Sequence, residues 1–151
     1  MNPVVGRRVI VTGGAGFICS HVVEALLARG AEVVVVDDLS TCGREKISHL
    51  EDNSHFSLIV ADVRDEDAMS ESLKEADIVM HLATRNVRLS LSCPTEVHEV
   101  NVIGTYNVLK AAKRCNVPRF LYCSSSEVNG TAQKVPTKEE YHFKPETIYG
   151  D

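Results

Sequence analysis

The sequence has little of what marks a membrane or nucleic-acid-binding protein. It contains no tryptophan, and no apolar run approaches the ~18 residues of a membrane-spanning helix. Its 16 Lys and Arg residues are outnumbered by 21 Asp and Glu, so it lacks the basic excess of proteins that follow nucleic-acid phosphates. The segment Met1–Arg8 lacks the layout of a secretory signal peptide. We therefore expect neither a membrane span nor a nucleic-acid partner.

The five cysteines are odd in number, widely spaced and without a C-x-x-C pair: Cys19, Cys42, Cys93, Cys115 and Cys123. This usage is typical of a reducing compartment, in which thiols serve as small apolar side chains. The six histidines are scattered as well and lack the spacing of metal ligands. We expect a cytoplasmic protein without a metal site.

The sequence as a whole is 44% hydrophobic and 25% charged, which is typical of a globular protein, and its length predicts one domain over residues 1–151. Short β-branched segments alternate with longer helical ones. Strands are predicted at 8–12, 31–36, 56–61, 78–82 and 119–123, and helices at 17–29, 44–50, 66–74 and 94–115. The strands are continuously apolar, as in parallel strands that are buried on both faces. The pattern predicts an α/β fold of the Rossmann type, a doubly wound parallel sheet.

The predicted helix 94–115 has two apolar stripes where a surface helix usually has one. The inner stripe consists of Val97, Val100, Gly104, Val108, Ala111 and Cys115. The outer stripe, roughly opposite, consists of Val102, Tyr106 and Leu109. We expect the sheet to cover the inner stripe, and either a partner subunit or a loop folding over Leu109 to cover the outer one.

A glycine-rich turn, Gly13-Gly14-Ala15-Gly16, lies between the first strand and the first helix. Glycines permit a tight turn and a close backbone approach, while the helix N-terminus offers free N–H groups to phosphate. In this strand–turn–helix context the motif predicts a dinucleotide pyrophosphate site. Cys19 replaces the usual third glycine, so we expect a slightly wider approach of helix and strand.

Acidic residues end the second and third strands. Asp37 and Asp38 are placed to accept hydrogen bonds from the adenosine ribose and to repel a 2′-phosphate. The next arginine along the chain is Arg44, so the pattern favours NAD over NADP. Asp62 is placed to reach the adenine, although such a residue often caps a turn.

Six motifs in order resemble the extended short-chain dehydrogenase/reductase family, specifically its nucleotide-sugar epimerases and dehydratases of the UDP-glucose 4-epimerase kind. The motifs are residues 12–21, 61–63, 81–84, 101–105, 124–130 and 149–150. The resemblance covers essentially the whole chain. It implies a nucleotide-sugar substrate and an NAD that is reduced and reoxidised in each turnover.

Carried over residue by residue, the resemblance assigns catalytic roles to Tyr149, as the proton-transferring tyrosine, and to Ser125, which bonds the reacting sugar hydroxyl. The predicted cofactor-binding residues are Gly13, Gly16, Phe17, Ile18, Asp37, Asp38, Asp62, Val63, Leu82, Ala83 and Asn101. His81 is expected to be structural. Arg85 and Arg88 are expected either to meet substrate phosphate or to lie in a solvated loop.

Two departures from the family pattern bear on function. Asn129 stands where the family usually has tyrosine, and the catalytic lysine of the family's Y-x-x-x-K motif would fall two residues beyond Asp151. We therefore expect a domain that is truncated before its end, inactive alone, and part of a homodimer when full length.

Two alternatives to a 4-epimerase-like enzyme remain open. Glu127 resembles the acid of sugar-nucleotide 4,6-dehydratases and of glucuronate decarboxylases, although a dehydratase would more typically carry Asp at Ser126. The other alternative is a non-catalytic NAD-binding module.

Overall fold

The computed structural model describes residues 4–150, and its centre is a parallel sheet. The strands are β1 (Arg8–Thr12), β2 (Glu32–Asp37), β3 (Phe56–Val60), β4 (Ile78–His81) and β5 (Arg119–Tyr122). Their order across the sheet is β3-β2-β1-β4-β5, and every neighbouring pair is parallel. All five predicted strands are confirmed to within a residue at either end.

The helices lie on both faces of the sheet. They are α1 (Phe17–Leu27), α2 (Glu66–Ser72), α3 (Val87–Ser90), α4 (Pro94–His98) and α5 (Thr105–Arg114). Short 3₁₀ turns cover Ser48–Leu50 and Ser126–Asn129, and a π-helical turn covers Glu99–Gly104. Within residues 4–150, no helix combines the length and apolar character that a membrane crossing requires.

Two separate cores flank the sheet because successive strand residues face opposite sides. The first core packs α1 and Ile47 on one face, and includes Val9, Val11, Val33 and Val35. The second packs α2, α5 and the π-helical turn on the other face, and includes Ile10, Val34, Val36 and Val79. The doubly wound Rossmann-type architecture is thereby confirmed.

The helix predicted at 44–50 was wrong. Residues 40–47 form turns, and only Ser48–Leu50 makes a single 3₁₀ turn. Ile47 is the one fully buried side chain of this stretch, and Gly43 has a left-handed φ of 59°. A short helix depends on a buried apolar stripe for its stability, and one buried side chain does not make one.

The predicted helix 94–115 is helical along almost its whole length, but the π-helical turn separates α4 from α5. Most of the inner stripe is buried, as expected. The outer stripe is exposed: Val102 by 46%, Tyr106 by 59% and Leu109 by 45%. No loop of the described chain folds over Leu109, so that alternative was wrong.

Candidate functional site

One cleft of about 570 Å³ opens at the carboxyl ends of the strands. Its lining includes all of the sequence-predicted site residues: Gly13, Gly16, Phe17, Ile18, Asp37, Asp38, Asp62, Val63, Leu82, Ala83, Asn101, Ser125 and Tyr149. The cleft sits where the chain order reverses, between β1 and β4. Ligands of open α/β sheets bind at such switch points.

The glycine-rich turn forms the floor of the cleft. Gly13 has φ of 71°, and a Cβ there would lie 2.7 Å from Cα and 2.8 Å from N of Ala83. Its amide donates to the Val36 carbonyl (2.8 Å), which ties the turn to β2. Gly16 precedes α1, and no side chain of the described residues caps that helix. The first amides of α1 and its dipole therefore offer an anion site beside the cleft.

Asp37 joins the turn to the end of β2. Its Oδ2 accepts the Ala15 amide (3.0 Å), and its Oδ1 accepts the Leu39 amide (2.8 Å). Burial raises the pKa of this carboxyl, while the two backbone bonds oppose the rise. A carboxylate has about four acceptor positions, so each oxygen keeps capacity for a ribose hydroxyl.

Arg85 crosses from the loop after β4 to the loop after β2, which the sequence analysis did not foresee. Its Nη2 lies 2.8 Å from Asp38 Oδ2, its Nε donates to Glu96 Oε1 (3.1 Å), and its side chain is 13% exposed. The expectation of a solvated loop was therefore wrong for this arginine, which also lines the cleft, while its contact with substrate phosphate stays a prediction. Arg88 is exposed on α3 and does not line the cleft.

The Arg85 contact also changes the electrostatics of Asp38. Burial works against ionisation of this carboxyl, but hydrogen bonds from Ser40 and Arg85 outweigh it and lower its pKa. Because Asp38 and Glu96 both neutralise the guanidinium, the arginine does not provide the free positive charge that a 2′-phosphate would need.

Asp62 caps a turn at the edge of the cleft, and its contact with the adenine stays a prediction. Its Oδ1 accepts the Arg64 amide (2.8 Å), as in a turn cap, and the Arg64 guanidinium lies 2.6 Å from Oδ2. These contacts lower its pKa, the side-chain bond from Arg64 most of all. Asp62 also lines the cleft, next to the buried Val63.

Cys19 occupies the position where the family usually has glycine. Its side chain is buried, and burial raises the pKa of the thiol to about 11. A thiol with such a pKa stays protonated at neutral pH and packs as a small apolar group.

Ser125 and Tyr149 lie on two segments that pack closely together. The Ser125 hydroxyl accepts the Glu127 amide (3.2 Å) and so caps the turn Ser126–Asn129. A Cβ on Gly150 would lie 2.7 Å from the Glu127 carbonyl oxygen, and Glu127 Oε2 accepts the Thr147 hydroxyl (3.4 Å). Ser125 and Tyr149 line the cleft, whereas Glu127 does not.

Three features are those of the dinucleotide-binding Rossmann fold: the parallel sheet, the glycine turn before an uncapped helix and the acidic end of β2. Residues 9–151 match the NAD dependent epimerase/dehydratase family, and the chain belongs to that family.

Three relatives show the range of the family near this chain. UDP-glucuronic acid decarboxylase 1 of Arabidopsis thaliana is 42% identical over 89% of the chain and 30% of its own length. A solved structure of a UDP-galactose 4-epimerase is 43% identical to the chain and has a TM-score of 0.84. The match covers 95% of this chain and 46% of the length of that protein. A Thermus thermophilus UDP-glucose 4-epimerase in complex with NAD is 33% identical, with a TM-score of 0.84, over the same shares. The chain thus spans less than half the length of these relatives.

Proposed function

We propose that this chain is the NAD-binding part of a nucleotide-sugar 4-epimerase-like enzyme. One observation carries the proposal: a single cleft is lined by the glycine turn, by Asp37, and by Ser125 and Tyr149. A pure binding module needs the first two features only. Solved relatives that are UDP-sugar 4-epimerases support the epimerase reaction, and the NAD complex among them supports the cofactor.

Each part of the chain has a separate task in this reaction. The bound cofactor supplies a reversible hydride acceptor. The α1 N-terminus holds its pyrophosphate, and Asp37 accepts the ribose hydroxyls. Ser125 donates to and orients the sugar hydroxyl, while the Tyr149 phenolate takes up the proton of that hydroxyl and, as the phenol, returns it. Free tyrosine is only ~0.1% ionised at pH 7, so an active Tyr149 needs ~4 kcal/mol of phenolate stabilisation to bring its pKa near 7.

Turnover by a protein of family length that contains this chain tests the proposal. Incubation with NAD and a panel of UDP-, GDP- and dTDP-sugars should give an epimer that chromatography separates from the substrate. Replacing Tyr149 with phenylalanine should lower kcat by about 10²-fold or more, the range of general acid–base catalysis. Equal turnover by the two proteins would rule out Tyr149 as the proton carrier. NAD binding without any turnover would favour the binding-module alternative.

UDP-glucuronic acid decarboxylation is the second candidate, favoured by the identity to the Arabidopsis decarboxylase. The decisive side chain is Glu127, which the sequence analysis related to the acid of that enzyme class. Its carboxylate contacts Thr147 and does not line the cleft. Release of CO₂ from UDP-glucuronic acid would establish this reaction, and formation of an epimer without CO₂ would exclude it.

The choice of NAD over NADP gives a prediction for Asp37. Its replacement by alanine should weaken NAD binding about tenfold or more, because charge-assisted bonds to the ribose are lost. NADP affinity should fall less, since repulsion of the 2′-phosphate disappears as well. Calorimetric titration of the chain with both cofactors measures the two constants.

Asp77→Ala is the matched control for Asp37. This aspartate bonds Arg7 and Arg8 before β4, and it does not line the cleft. Its removal should leave the NAD to NADP ratio unchanged. A ratio that stays constant in Asp37→Ala as well would refute the assignment.

The outer stripe supports a homodimer through the helix that carries it. Sedimentation at several protein concentrations should show weak, concentration-dependent dimers of this chain. Leu109→Glu should weaken them about tenfold or more, because a carboxylate in an apolar contact loses its hydration. The matched control Leu91→Glu changes an exposed leucine outside this stripe and should have no effect. Dimers that survive Leu109→Glu would place the interface elsewhere.

A further inference from the structure

His81 is the largest buried polar group beside the cleft, and the proposed reaction does not use it. It is 1% exposed, at the end of β4. Its Nδ1 lies 2.7 Å from Thr12 Oγ1, and its Nε2 lies 2.8 Å from Thr105 Oγ1. The imidazole therefore links the residue before the glycine turn to the first residue of α5.

The surrounding bonds fix the direction of each proton. Thr12 Oγ1 accepts the Ala83 amide (3.2 Å) and shares the Leu82 amide (3.2 Å) with the Thr12 carbonyl oxygen (3.3 Å), so both of its acceptor positions are occupied. Its hydroxyl proton is thus left to donate to His81 Nδ1. The imidazole then carries its proton on Nε2 and donates it to Thr105 Oγ1. The Thr105 hydroxyl in turn donates to the Asn101 carbonyl (2.5 Å).

That last bond falls on the π-helical turn. In an α-helix the Asn101 carbonyl would accept the amide of Thr105, four residues later. In a π-helical turn a carbonyl accepts the amide five residues later instead. Here the Thr105 hydroxyl donates to the carbonyl. Interruptions of this kind in an α-helix are frequent at functional sites.

Asn101 extends the connection to the opposite wall of the cleft. Its Oδ1 accepts the Arg85 amide (2.8 Å), and its Nδ2 donates to the Arg85 carbonyl (3.0 Å). The guanidinium of Arg85 reaches Asp38 on the loop after β2. A continuous series of bonds therefore runs from Thr12 through His81, Thr105, Asn101 and Arg85 to Asp38.

We infer that His81 is a positioning residue that holds the glycine turn and the Asn101–Arg85 wall at the separation that the dinucleotide requires. Packing alone does not explain this choice of side chain. The buried His81 imidazole and Thr12 hydroxyl cost free energy unless every polar atom is bonded, whereas apolar side chains would fill the same space. All of these polar atoms are bonded, and the bonds join the segments that line the cleft.

The inference rests on the proposed NAD binding, and Thr105 allows the two to be tested separately. Thr105→Val keeps the shape of the side chain and removes the hydroxyl, while Thr105→Ser keeps the hydroxyl. Two quantities are measured on the chain: hydrogen exchange of the Arg85 amide, which Asn101 holds, and the NAD dissociation constant. In Thr105→Val we expect Arg85 exchange to accelerate about fivefold and NAD binding to weaken about fivefold, the effect of one lost hydrogen bond.

Rescue separates positioning from a loss of stability. Thr105→Ser should restore both quantities, and exchange in the centre of β2 should stay unchanged in both variants. Nitrogen-detected NMR should find the His81 proton on Nε2 in the unaltered chain. Unchanged Arg85 exchange in Thr105→Val, or equal effects of valine and serine, would overturn the inference. If the unaltered chain does not bind NAD, the proposed function fails, while Arg85 exchange in His81→Gln, which leaves the Thr105–Asn101 bond in place, still decides whether His81 positions this wall.

Discussion

Replacing Gly13 with alanine is expected to abolish measurable NAD binding and to destabilise the chain by about 3 kcal/mol. Two effects add up at this residue. A side chain at φ of 71° costs about 1–2 kcal/mol, and its Cβ would lie 2.7 Å from the Ala83 backbone, which has no flexible end to move. The overlap would push apart the turn and the loop after β4, between which the pyrophosphate is expected to lie. Urea unfolding and calorimetric NAD titration measure the two effects.

Gly6 and Gly16 provide matched controls for this substitution. Gly6 has a similar φ of 66°, but a Cβ there meets no atom within 4 Å, so Gly6→Ala should show the backbone cost alone and keep NAD binding. Gly16 has an ordinary φ of −66°, with its Cβ position 3.2 Å from the Gly13 carbonyl oxygen. Its alanine variant should fold nearly as well as the unaltered chain. If Gly13→Ala is no more destabilising than Gly6→Ala, the close approach to Ala83 does not matter.

Local patterns predicted the sheet, the glycine turn and the acidic residues of the cleft, whereas Ser125 and Tyr149 were predicted from the family resemblance. Continuous β-branched runs indicated buried parallel strands, and parallel strands bring their carboxyl ends to one edge of the sheet. Gly13, Asp37, Asp62 and Ser125 each follow or end a different strand, so their meeting in one cleft follows from the topology. What they do there stays a prediction.

Contacts between distant loops could not be predicted in the same way. Arg85 and Asp38 are 47 residues apart, and nothing in either segment specifies the partner. The outcome depends on how the loops after β2 and β4 fold over the turn between them. The sequence has no arginine close to Asp38 along the chain, but this did not predict which side chains would contact Asp38 in the folded structure.

The π-helical turn was also invisible in the sequence. The inner stripe recurs every three or four residues, and the same spacing serves an α-helix and one that contains a π-helical turn. The difference lies in the backbone hydrogen bonds of Glu99–Gly104, beside which the Thr105 hydroxyl donates to the Asn101 carbonyl. For His81 a structural role was predicted from the sequence, but its two hydrogen-bond partners, Thr12 and Thr105, were not.

His81 should make the stability of the chain fall between about pH 6.5 and pH 4. Burial lowers the pKa of its imidazole from 6.5 to about 4. In this window the unfolded chain binds a proton that the folded chain excludes, so the free energy of unfolding increases with pH. The stabilisation that the neutral His81 imidazole contributes is complete above about pH 6.5, decreases as the pH falls and is lost below about pH 4. A shift of this size corresponds to about 3 kcal/mol.

Comparison with His81→Gln isolates this contribution, because glutamine keeps a polar side chain that does not titrate. Urea unfolding of both proteins between about pH 4.5 and pH 7.5 should give a slope for the unaltered chain that the variant lacks. Asp38, Asp62 and Asp77 have lowered pKa values, so their contributions are lost only below their ordinary value of 3.8. Asp37, whose raised pKa acts in the opposite direction, is common to both proteins and cancels in the difference. Parallel curves for the two proteins would mean that His81 takes up its proton at the same pH in the folded and the unfolded chain, so the fold would not keep the imidazole neutral as the proton directions assigned to Thr12 and Thr105 require.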